Sequence, residues 1–159
     1  MAKARPVPGI APQTPMREAA ARTVEVRARE VFSFADGVLD TSDIERVHDM
    51  RVATRRLRAA LEVFEVCFPR KQYRRALKDV KRLADALGLR RDPDVQIKAL
   101  EGYADELPAD ARPGIEALVN DLRDDQARGN EVLERELAKA ERSALEWRLL
   151  ALAAKAAIG

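Results

Sequence analysis

With 159 residues, of which 47% are hydrophobic and 35% charged, the chain has apolar material for one domain and too much of it for a disordered polymer. An aromatic content of only 4%, beside abundant Ala, Leu, Arg and Glu, argues for helices and against a β-sandwich. The formal charge of +2 conceals a segregation: residues 46–91 carry fourteen basic and five acidic side chains, net +9, while residues 1–45 come to −1 and residues 92–159 to −6. Positive charge gathered in the central third predicts a local anion-binding surface. No stretch of about eighteen apolar residues occurs, so no membrane association is expected. The N-terminal MAKARPVPGIAPQTP lacks the continuous apolar run of a secretory signal, and the single cysteine, Cys67, fits a reducing cytosol.

Four of the eight prolines fall in the first fifteen residues, so residues 1–13 read as a mobile tail ahead of a helical domain over 14–159. Thr14 before Pro15 predicts an N-cap followed by proline at the first helical position, opening a helix that runs to about Val38. Ser42-Asp43-Ile44-Glu45 reads as a capping box and starts a second helix, which ends near Phe68 ahead of Pro69. Tyr73, Leu77, Val80, Ala84 and Leu87 recur at three and four residues, predicting a third helix from Lys71 to Leu87 with Gly88 as its stop. Asp92-Pro93 predicts the cap and first residue of a fourth helix ending near Leu107-Pro108. From Ile115 through Leu122, Leu133, Leu145 and Leu152 the pattern predicts a last helix of about forty residues, ~60 Å long, unless Gly129 breaks it. No alternating strand pattern is present. The expected fold is all-α, an antiparallel helical bundle of four to five helices with a long C-terminal helix.

The second helix has two faces. At about 100° per residue, Met50, Leu57, Leu61, Phe64 and Phe68 share one side with Ala53, Ala60 and Cys67, which makes that side core and Cys67 a buried filler. On the other side His48, Arg51, Arg55 and Arg58 line an arc, with Val52, Ala59, Val63 and Val66 beside it. Small apolar residues next to a charged row imply a groove or a second packing surface. Glu62 is the one acid close to the row, so most positions at three or four residues offer no counter-ion. The third helix repeats the theme with Arg74, Lys78 and Lys81 on one face, flanked by Arg75 and Arg82. Such rows recur about every 5–6 Å and suit a linear polyanion, Arg taking two oxygens at a time and Lys acting as a point charge. No metal or other cofactor is expected: His48 is the only histidine, and Cys67 lies on the opposite side of its helix.

Val47-His48-Asp49-Met50-Arg51-Val52-Ala53-Thr54-Arg55-Arg56-Leu57-Arg58 resembles the His-x-Met-Arg-Val-x-x-Arg-Arg-Leu-Arg signature of the CHAD domain, the conserved histidine α-helical domain. Leu87-Gly88 followed by Arg91-Asp92-Pro93-Asp94-Val95 is similar to that family's second element, and Lys81 stands where the family tends to place a lysine. The resemblance implies an all-helical protein that binds inorganic polyphosphate in a basic channel, in the cytoplasm and with polyphosphate granules. Carried over by position, it implies a binding set of His48, Arg51, Arg55, Arg58, Lys81 and Arg91, with Arg56 off the row. Asp92 and Asp94 match the motif too; their plainer reading is a helix cap and a first-turn carboxylate against the helix dipole. Family members commonly have two bundle halves with the channel between them, so this chain resembles one half. A homodimer with the basic faces toward each other is the expected substitute for the missing half.

Two other functions would draw on the same residues. Nucleic-acid binding would use the same arginines, but no aromatics interleave with them for base stacking. A phosphate-ester hydrolase, or a module associated with one, would need a Walker A loop, a His/Asp metal cluster or a Ser-His-acid arrangement, and none is present. The expected role is therefore non-catalytic.

Overall fold

The computed structural model describes residues 3–158 and contains five α-helices: α1 (Met16–Phe32), α2 (Ile44–Val63), α3 (Arg70–Asp105), α4 (Arg112–Arg142) and α5 (Leu145–Ile158). Among the described residues there are no strands. α1, α2, the first half of α3 and α5 form an antiparallel bundle around Val24, Met50, Leu57, Leu61, Val80, Leu87, Leu149 and Leu152. The register is fixed by side-chain pairs. Arg148 of α5 donates to Asp79 of α3 at 2.9 Å and Lys155 donates to Gln72 at 3.0 Å, seven residues further along each helix in opposite directions. The second half of α3 leaves the bundle and is accompanied by α4 as a long hairpin.

The predicted helices are present, but several ends move. α1 stops at Phe32, not near Val38: the Ser33 hydroxyl donates to the Glu30 carbonyl at 2.7 Å, and the chain turns through Gly37 at φ 75°. At its other end Thr14 is not the cap. Pro15 holds that position without a side-chain bond, and the Thr14 hydroxyl accepts from the Ala11 amide at 2.9 Å. The segment ahead of α1 makes specific contacts, the Arg5 amide donating to Glu30 at 3.0 Å and the Arg5 guanidinium to Ser33 at 2.8 Å. The Ser42–Glu45 capping box does not form. Asp43 caps α2 by accepting from the Arg46 amide at 3.2 Å, while Ser42 turns back to Asp40, whose carboxyl its two hydrogen bonds hold below the ordinary range. α2 ends at Val63, and a 3₁₀ turn over Glu65–Cys67 carries the chain to Pro69.

The third and fourth predicted helices are one. α3 runs through Gly88, Asp92 and Pro93 for 36 residues, so Asp92 caps nothing and Asp94 lies in mid-helix. Packing against α4 overrides the local stop signals. Arg90 and Asp94 are fully buried and paired at 2.5 Å; Asp94 also accepts from Gln126 at 2.6 Å, and Arg90 donates to Asn130 at 3.0 Å. Asn130 in turn donates to the Leu39 carbonyl at 2.9 Å, tying the α1–α2 connection to the same network. A proline inside a helix removes the amide that would serve the carbonyl four residues back, here that of Leu89. That carbonyl faces Gly129 of α4, where an added Cβ would stand 2.7 Å from the oxygen. Gly129 therefore does not break α4; it admits the close crossing. The break falls at Ser143-Ala144, with Ala144 at φ 50°, and divides the expected forty-residue helix into α4 and α5.

Candidate functional site: a basic surface on α2 and α3

The basic row of α2 is set by the core beneath it. Val47, Met50, Leu57 and Leu61 anchor the helix in the bundle, which turns Arg55 and Arg58 outward and leaves His48 and Arg51 half-buried. Val52 packs inside, whereas Ala59, Val63 and Val66 stay exposed. On α3 the burial of Tyr73, Ala76, Val80 and Leu83 exposes Arg74 and Lys78 and leaves Lys81 half-covered.

Glu62 joins the two rows. Its carboxylate accepts from Arg58 at 3.0 Å, four residues away on α2, and meets the Lys81 ammonium of α3 at 3.6 Å. The Arg58 hydrogen bond is the main reason that this carboxyl lies below its ordinary range, and Lys81 adds a smaller share. One negative charge is thus divided between two positive ones. Among the described residues, Arg51, Arg55, Arg74, Lys78 and Arg91 form no ion pair. Like charges left side by side repel, and a bound anion relieves that cost.

The Glu62–Lys81 contact also levels the two helices. Ten residues back from Glu62 lies Val52, beside Arg51; ten on from Lys81 lies Arg91. Antiparallel α-helices rise equally, so Arg91 of α3 lies toward the end of α2 that carries His48 and Arg51. It is also eighteen residues, five turns, from Tyr73 and shares its azimuth on α3. Tyr73 marks the flank toward α2. Its ring stacks on Phe68 with centroids 6.1 Å apart, and burial raises its hydroxyl pKa, with Glu65 and Glu62 adding to the shift. The Nε and Nη1 atoms of Arg91 are buried with no hydrogen-bond partner among the described residues.

Two expected site residues point elsewhere. Arg56 reaches α1, where its Nη1 lies 3.5 Å from buried Glu30, a carboxylate that also pairs with Arg27 at 2.5 Å. Arg82 pairs with Asp79 three residues back, and Asp79 is held in turn by Arg148 of α5. Arg82, Lys78 and Arg75 line a groove whose opposite wall carries Glu136 and Lys139 of α4. Lys78 therefore sits at the boundary between the open basic face and this mixed-charge groove. Sequence reasoning passed over Arg90, whose only local signal was an acid four residues on.

Among the described residues no group of three or more His, Cys, Asp or Glu side chains could hold a metal ion, and no helix is long and apolar enough to cross a membrane. The family model described as "CHAD domain" matches residues 16–158. No curated protein matches the chain.

Proposed function

The chain belongs to the CHAD-domain family, and from that premise we propose that it is a non-catalytic binding module for inorganic polyphosphate, taken up on the α2–α3 surface. The observation that carries this reading is a run of cations that form no ion pair among the described residues, Arg51, Arg55, Arg74, Lys78 and Arg91, with His48 at one end and Arg58 and Lys81 sharing Glu62. Guanidinium forks on α2 take pairs of phosphate oxygens, and the lysines of α3 act as point charges along the same track. His48, at one end of the row, can donate a ring N–H to the chain. Affinity arises from ion pairing and counterion release, so it falls steeply with salt. We place Arg56 and Arg82 outside the direct contact set, because Arg56 reaches across to Glu30 of α1 and Arg82 pairs with Asp79 in the groove toward α4. The same reading puts the protein in the cytoplasm with polyphosphate granules and makes it a homodimer in which a second copy supplies further cations.

Polyphosphate is favoured over nucleic acid because base recognition on single strands needs stacking platforms. Among the described residues the exposed aromatic side chains are Tyr103, at the far end of α3, and Trp147 of α5, which lines a groove with Arg75 and Lys155 and does not interleave with the arginines of α2. Competition tests the choice. Unlabelled long-chain polyphosphate is expected to displace a labelled chain at phosphate concentrations where DNA and RNA do not. Equal displacement by all three would refute it.

A further inference from the structure

α5 carries an apolar face that this chain leaves open. Leu145, Leu149, Leu152, Ala153 and Ala156 turn into the bundle, while Trp147, Ala151, Ala154 and Ile158 form a second stripe on the opposite side. Trp147 is 69% exposed and Ile158 87%. An apolar stripe along a helix is ordinarily turned toward a packing surface.

The stripe complements itself. Its spacings of four, three and four residues read the same from either end. Laid antiparallel on itself about a two-fold axis, the helix brings Ala151 against the partner's Ala154, and Trp147 against the partner's Ile158. That reciprocity is what an isologous contact requires. The central alanines let the axes approach to about 8 Å, the near end of the usual range, while the large side chains fill the ends. We propose that the chain pairs with a second copy of itself through this face of α5.

The area sets the strength of the pair. Trp147 leaves on the order of 170 Å² of indole open and the whole stripe about 400 Å². A pair then buries about 800 Å², against roughly 1,200–2,000 Å² for stable complexes. The dimer is therefore weak and reversible, and fills only at high concentration.

The flanks of the stripe differ in sign. Toward α3, the groove beside Trp147 is lined by Arg75 and Lys155; on the other side Asp36, Glu134, Glu141 and Glu146 surround it. An antiparallel two-fold turns the same flank of each copy to the same side, so both α3 surfaces share one side of the dimer. The two Glu146 side chains stand roughly 20 Å apart along the axis, beyond the screening length at physiological salt, while the two Lys155 residues, roughly 7–8 Å apart along it and each donating to Gln72 of its own α3, keep the pair weak. This inference rests on the polyphosphate reading and names the partner of that site. The second copy extends the anion track side by side, instead of closing over it as the half-length resemblance implied. The edge of α2 offers less for a facing pair, since Arg55, Arg58 and Glu62 interrupt Ala59, Val63 and Val66.

Sedimentation equilibrium of the full chain, from low to several hundred micromolar, tests the pairing together with emission from Trp147, the single tryptophan. The mass is expected to double as the emission moves to shorter wavelength. Ala154→Arg, at an exposed position, is expected to remain one copy in mass with unshifted emission and wild-type helicity. That variant should bind a polyphosphate too short to span two copies as the wild type does, and a long chain about tenfold more weakly. A mass that never exceeds one copy overturns the interface, as does a doubling that survives Ala154→Arg with the Trp147 emission unmoved. Tight polyphosphate binding by a strict monomer would sink the interface alone. Doubling without any polyphosphate binding would support the interface and sink the anion reading.

Discussion

Gly129 lies against the backbone carbonyl of Leu89, so closely that a Cβ there would stand 2.7 Å from the oxygen. Leu89 is the residue whose helical partner Pro93 removes, so a carbonyl of α3 that lacks its helical amide lies where Gly129 lets α4 come close. Gly129→Ala is expected to destabilise the fold by about 1–3 kcal/mol despite the higher helix propensity of alanine. Urea denaturation measures it. Unchanged or increased stability would mean that the crossing is looser than described.

The buried Arg90–Asp94 pair makes a second demand. Removing one partner strands the other charge in the interior, so Asp94→Ala is expected to cost about 3–5 kcal/mol. Replacing both, as Arg90→Met with Asp94→Leu, should recover part of that loss. Thermal or urea unfolding of the three proteins distinguishes an ion pair that stabilises from one that is merely tolerated.

Ala144 joins α4 to α5 at φ 50°, a conformation that an L side chain adopts only at a cost. Ala144→Gly is expected to stabilise by about 0.5–1 kcal/mol, relief of strain outweighing the freer unfolded chain. A lower midpoint of unfolding would contradict that.

Glu62 offers a handle on the site itself. Its carboxyl lies below the ordinary value of 4.5, chiefly through the Arg58 hydrogen bond. A depressed folded-state pKa gives a contribution to stability that is full above the ordinary value and lost as pH falls below it. Because the group is exposed, the contribution is small. Glu62→Gln at neutral pH frees Arg58 and Lys81, and polyphosphate affinity is expected to rise about two- to fivefold with little change in stability. A fall in affinity would place Glu62 in a positioning role.

Much of this architecture was legible along the chain, and the failures have particular causes. Helix existence followed from the three- and four-residue recurrence of Val80, Leu87, Leu133 and Leu149, all of which are buried. Ends were misread where local chemistry competed with packing. Gly88 and Asp92-Pro93 carry every local mark of a helix boundary, yet α3 continues through them because α4 packs on its far side. That support comes from Gly129, Asn130 and Gln126, about forty residues away, and no local window contains them. The row His48, Arg51, Arg55 and Arg58 was visible because periodicity alone places it on one face. Arg90 was not, since one arginine beside another looks like the same charged surface until burial separates them. The meeting of Lys81 with Glu62 depends on how two helices are set against each other, which neither helix specifies by itself.

The central claim is that Arg51 and Arg55 of α2, which form no ion pair among the described residues, hold a polyphosphate chain. The most direct test is the affinity of wild type, Arg51→Ala and Arg55→Ala for one long-chain polyphosphate at two salt concentrations, with helicity checked for each protein. Each variant is expected to bind tenfold or more weakly, on the order of 1.4–3 kcal/mol per lost charge-assisted pair. Each should also show a log affinity against log salt slope shallower by about one phosphate contact. Folded variants that retain wild-type affinity and slope would contradict the account.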